Sequence, residues 1–63
     1  MKLKKLLKVL KGCYNYKLFD RDDDLIIETN DLNELDRWEL CKVLNCVPYD
    51  FGVTIKLEVP KFQ

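Results

Sequence analysis

The segment "VTIKLEV", residues 53–59, alternates without a break. Val53, Ile55, Leu57 and Val59 fall on one side; Thr54, Lys56 and Glu58 fall on the other. A period of two makes a single apolar face only in an extended strand, so the chain must build a sheet with one side covered. "PYDFG", just upstream, carries turn chemistry. The segment before it, "RWELCKVLNCV", admits two readings. Leu40, Val43, Leu44 and Val47 fit a helix face, "KVLNCV" also fits a strand, and Pro48 ends either one. A turn at "PYDFG" joins two antiparallel strands, which favours a strand over residues 42–48.

A second hairpin precedes this one. "YNYKLF" is aromatic and alternating, and "LIIET" is β-branched; both read as strands. Between them lies "DRDDD", residues 20–24. Pairing Asp20 with Leu25 across a four-residue loop sets the register. Leu18 then faces Ile27, Tyr16 faces Thr29, and Lys17 faces Glu28. The first two pairs share one side of the sheet. The opposite charges lie on the other side, together with Phe19 and Ile26. The turn falls in "RDDD".

Leu3, Leu6, Leu7 and Leu10 follow the spacing of one helix face, and lysines fill the rest. Gly12 suits the left-handed position that ends a helix. Lys8 and Lys11 lie favourably near the helix C-terminus, whereas Lys2, Lys4 and Lys5 oppose the helix dipole at its start. Asp31 with Glu34 matches a capping box in which Asp replaces Ser or Thr. A short helix ending near Asp36 follows, with Leu32 and Leu35 able to dock on the sheet. The expected order is α-β-β-α-β-β. This is a small single α+β domain over residues 1–63, with an antiparallel sheet packed by an N-terminal amphipathic helix. A chain of this size buries only about 60% of its unfolded surface. Hydrophobic residues make up 48% of the sequence, which favours a folded core over disorder. A partner, or a homodimer through an open sheet edge, could complete it.

Several function classes are disfavoured. Cys13, Cys41 and Cys46 are odd in number and lack paired spacing, which argues for thiols in a reducing cytosol rather than a disulfide framework. The sequence has no His or Ser. That excludes a zinc finger and leaves no nucleophile with an evident base. Gly12 and Gly52 are isolated, so no phosphate-cradling loop is present. Asp20, Asp22 and Asp24 begin like a calcium loop, but Leu25 stands where Gly is needed and Asp31 where Glu is needed. The expectation is a protein without catalytic activity, cofactor or metal. Lysines interrupt every apolar run, so neither a signal peptide nor a membrane span is expected. The reading is a cytoplasmic protein with no membrane partner.

The charge is balanced overall but segregated along the chain. Residues 1–19 carry six lysines and no acid; residues 20–39 carry nine acids and two arginines. Asp20, Asp22, Asp23, Asp24, Asp31, Glu34, Asp36 and Glu39 form a candidate protein-binding surface, with Trp38 as an aromatic anchor. Spaced carboxylates can imitate a phosphate backbone and engage Arg and Lys of a basic protein. The plainer reading is a solvated turn and a core Trp. The alternative function is a nucleic-acid-associated regulator using Lys4, Lys8 and Lys11. Nucleic acid is a partner only in that reading.

The whole chain resembles a loose group of short proteins from bacteriophages and mobile elements of Firmicutes. "MKLKKLLKVL", the acidic hairpin "YKLFDRDDDLIIE" and the closing "VLNCVPYDFGVTIKLEV" carry the resemblance. The hairpin turn in such proteins often contains Gly, and "DRDDDL" does not. Most members have no assigned role, and some are anti-defence factors, including anti-CRISPR proteins that block Cas nucleases. The resemblance implies an inhibitor or modulator of a basic host protein, such as a CRISPR-Cas nuclease.

Overall fold

A computed structural model of the protein describes residues 1–10 and 15–59. Its elements are α1 (Leu3–Val9), β1 (Tyr16–Phe19), β2 (Leu25–Thr29), a 3-10 helix (Leu32–Trp38), β3 (Lys42–Tyr49) and β4 (Gly52–Glu58). The strands form one sheet in the order β2-β1-β4-β3. The α+β expectation holds in this coarse form, and the strand reading of residues 42–48 holds as β3. Gly12 and Tyr14, expected to end the first helix and open the first strand, lie outside the described residues.

The sheet is mixed, which corrects the antiparallel expectation. Both hairpins are antiparallel, but β1 and β4 meet side by side and run parallel. Local pairing could not reveal this contact. The segment carrying the 3-10 helix returns the chain across the sheet, so each hairpin presents an inner strand to the other. Crossovers of about a dozen residues are what parallel neighbours require. The start of β4, at Gly52, and the residue before β1, Asn15, meet tightly at one point. Val53 N–H donates to the Asn15 carbonyl at 3.0 Å. A Cβ on Gly52 would lie 2.8 Å from the Asn15 carbonyl carbon and closer still to its oxygen.

Two rows of side chains cross the sheet on its covered face. One runs Ile27, Leu18, Ile55, Cys46; the other runs Thr29, Tyr16, Val53, Pro48. Leu3 of α1 and Leu35 of the 3-10 helix press onto these rows, and with Tyr16, Leu18, Val53, Ile55 and Leu57 they form the buried core. Burying one such Leu contributes on the order of 1.5–3 kcal/mol.

The first hairpin keeps the expected Tyr16–Thr29, Lys17–Glu28 and Leu18–Ile27 pairs, but Phe19 pairs with Leu25. Ile26 is therefore the extra residue of a β-bulge. It packs against the core cluster together with Ile27, rather than sharing the outer face with Phe19. A second bulge falls at Leu44 in β3, between the Val43–Leu57 and Asn45–Lys56 pairs.

Helix α1 has only seven residues and no side-chain N-cap, so its ends need outside partners. The N–H groups of Leu3 and Lys4 donate to the carbonyls of Cys41 and Glu39, each at 2.9 Å. At the other end, the Tyr16 hydroxyl donates to the Leu10 carbonyl at 3.2 Å. Met1 and Lys2 also pair with Val43 and Lys42, extending the edge of β3. Packing and these borrowed caps hold a helix that would be too short to form alone.

Candidate functional site

The acidic tip is a built turn. The Asp20 carboxylate accepts from the backbone N–H of Asp22 at 2.8 Å and of Asp24 at 3.0 Å. Its backbone N–H donates to the Asp24 carbonyl at 2.9 Å, and Asp23 N–H returns to the Asp20 carbonyl at 3.0 Å. Asp23 sits at φ 67°, the left-handed region where Gly is usual and Asp is tolerated. The loop is thus three residues long, one fewer than expected, and the bulge at Ile26 absorbs the difference. Asp23 also pairs with Lys56 of β4 at 2.6 Å, which ties the tip to the neighbouring strand. Arg21, Asp22, Asp23 and Asp24 are all exposed, while Asp20 is half-buried. The carboxylates of Asp20 and Asp23 therefore help to shape the tip.

The remaining candidate acids stand elsewhere. Strand β2 separates the tip from the 3-10 helix, a span of about 16 Å at roughly 3.3 Å per residue. The Asp31 carboxylate caps that helix, accepting from Asn33 N–H at 2.9 Å. Glu34 does not reach back to the Asp31 N–H as a capping box would. Thr29 stands between them: its hydroxyl accepts from Asp31 N–H at 3.1 Å and donates to the Glu34 carboxylate. Asp36 and Glu39 line a groove between α1 and the 3-10 helix, together with Lys4, Lys8, Leu7, Leu32 and Asn33. Part of the charge that is segregated along the chain is therefore brought to one groove, with two lysines of α1 and the acids Asp36 and Glu39 among its lining.

Trp38 is half-buried and packs against the core cluster. The Arg37 guanidinium lies 5.7 Å from its ring centroid, within cation–π range. Its outer side faces a groove shared with Arg37, Leu40, Cys41, Lys42, Glu58 and Val59. Burial pushes the Cys41 thiol above its ordinary value. Lys4 and Lys8 of the basic alternative are exposed on α1, whereas Lys11 lies outside the described residues, as does Cys13.

Two features went unread in the sequence. The uncovered face of the sheet carries a polar network. Asn15 donates to Glu28 at 2.7 Å and to the Tyr49 hydroxyl at 3.1 Å, and the Lys17 ammonium lies 5.1 Å from the Tyr49 ring centroid. Lys17 and Glu28 do face each other in register, as expected, but each has found an additional partner. Beside this network, Phe19, Asp23, Asn45, Val47, Thr54 and Lys56 line a shallow groove. The other feature is Leu40, a large apolar side chain that is 72% exposed. Neither depended on local pattern: both arise from the meeting of the two hairpins and from how the 3-10 helix ends.

Among the described residues no three His, Cys, Asp or Glu side chains are grouped to hold a metal ion. No helix among them is long and apolar enough to cross a membrane. Compared with protein families, with curated proteins and with solved structures, the chain matches none.

Proposed function

We propose that the protein is a non-catalytic binding protein whose acidic hairpin tip engages a basic surface on a host protein. What supports this reading is one observation: the Asp20 carboxylate clamps the turn through two backbone N–H groups and leaves Asp22 and Asp24 exposed on it. Carboxylates on a preformed turn lose little freedom on binding, and charge-assisted bonds to Arg or Lys then add affinity. Trp38 contributes less because it packs against the core, and Asp36 and Glu39 contribute less because they share a groove with Lys4 and Lys8 of α1. The resemblance to mobile-element proteins makes a Cas-type nuclease the concrete partner to test.

The experiment is a tagged pull-down from a Firmicute lysate, split into nuclease-treated and untreated halves. The variant to compare is Asp22→Lys with Asp24→Lys, which leaves Asp20 and Asp23 to hold the turn. A protein retained after nuclease treatment and lost with the double reversal is the expected result. Equal capture by the variant rejects the reading.

A second reading rests on Lys2, Lys4, Lys5 and Lys8, which gather on one side of the molecule. A nucleic-acid partner there predicts affinity that falls linearly with the logarithm of salt concentration.

A further inference from the structure

We propose that the lysine face of α1, together with Leu40 in the same concavity, docks on an anionic lipid bilayer. Lys2, Lys4, Lys5 and Lys8 line one shallow concavity, and Leu40 is the remaining residue of its wall. Leu40 comes from the end of the 3-10 helix region, so the fold, not the sequence order, sets an apolar side chain among four cations. Val9, one helical turn beyond Lys5, is 71% exposed, so a second apolar group stands beside the same face. The apolar face of α1 is committed to the sheet through Leu3; the docking surface is the opposite face.

Charge complementarity calls for a polyanion, and the leucine selects among polyanions. A nucleic-acid backbone offers phosphates but nothing apolar for Leu40 or Val9 to enter. A bilayer offers anionic headgroups directly above hydrocarbon. Lysine stems can lie along that boundary with their ammonium groups among the headgroups, while Leu40 enters beneath them. Asp36 and Glu39 line the neighbouring groove together with Lys4 and Lys8, whereas Lys2 and Lys5 are not among its lining. This surface is separate from the acidic tip, and the inference does not rest on the tip's role.

The test is co-sedimentation of the full chain with phosphatidylcholine vesicles, with and without phosphatidylserine, alongside titration of a DNA duplex. Binding is expected only with phosphatidylserine. Leu40→Ser, at an exposed position, should lower that binding about tenfold. Lys2→Gln with Lys5→Gln should lower it by roughly twenty-five-fold, at about fivefold per lysine neutralised. Circular dichroism should show both variants folded. Three results would each overturn the inference: no binding to phosphatidylserine vesicles, equal binding to neutral ones, or binding untouched by Leu40→Ser. Duplex binding without vesicle binding would assign the lysines to nucleic acid instead.

Discussion

Gly52 shows how one position can hold two hairpins together. Any Cβ there would overlap the Asn15 carbonyl, the group that receives the Val53 N–H. Gly52→Ala should therefore destabilise the fold by about 3 kcal/mol, as overpacking in a tight contact does. Urea unfolding measures this, and a loss under about 0.5 kcal/mol would contradict the close approach. At the tip, Asp20→Ala removes an acceptor serving two N–H groups and should cost about 1–2 kcal/mol. Asp24→Ala, at an exposed carboxylate, should stay within about 0.5 kcal/mol. Comparable losses in the two variants would mean that Asp20 does not build the turn. Cys41 carries a pH prediction. Its thiol is raised above the ordinary 9.0 by burial, so the folded state holds that proton longer than the unfolded one. The resulting stability is fully present below pH 9.0 and is lost as pH rises through the folded value. At mildly alkaline pH, alkylation of Cys41 should be slower in the folded protein than in urea, read by mass spectrometry of its tryptic peptide.

Among the elements, the 3-10 helix has the widest influence. It supplies Leu35 to the core, returns the chain across the sheet, and is followed by the carbonyls that cap α1. Leu35→Ala should cost about 2–5 kcal/mol. Leu44→Ala, at the exposed bulge of β3, should cost little. Equal costs would contradict the placement of the core. Elements were legible in the sequence wherever a local period decided them. "VTIKLEV" alternates and became β4; "LIIET" met "YKLF" in the expected register over three pairs. What local pattern could not carry was the bulge at Ile26, since a turn of three or four residues fits "DRDDD" equally well until Asp23 adopts a left-handed backbone. The same holds for the parallel β1–β4 contact, which joins two segments that are distant in the chain and individually antiparallel. The capping pair Asp31 and Glu34 was legible as a signal, yet Thr29, from the preceding strand, took the place of one partner.

For the whole molecule, the main consequence concerns charge. Reading along the chain gives a basic half and an acidic half, which invites two separate binding surfaces. Folding brings part of them together, with Lys4 and Lys8 beside Asp36 and Glu39. Two regions remain outward: the tip with Asp22 and Asp24, and the lysine face around Leu40. Sequence reading located the acidic tip and the lysines but not Leu40, whose exposure depends on where the 3-10 helix ends. The most direct test of the central claim places a photo-crosslinker at Asp22 and, separately, at Val47 on the uncovered sheet face, in living host cells. The account predicts one protein partner captured from Asp22 and not from Val47. Capture from Val47 alone would move the binding site to the open face of the sheet and leave "DRDDD" a well-built turn.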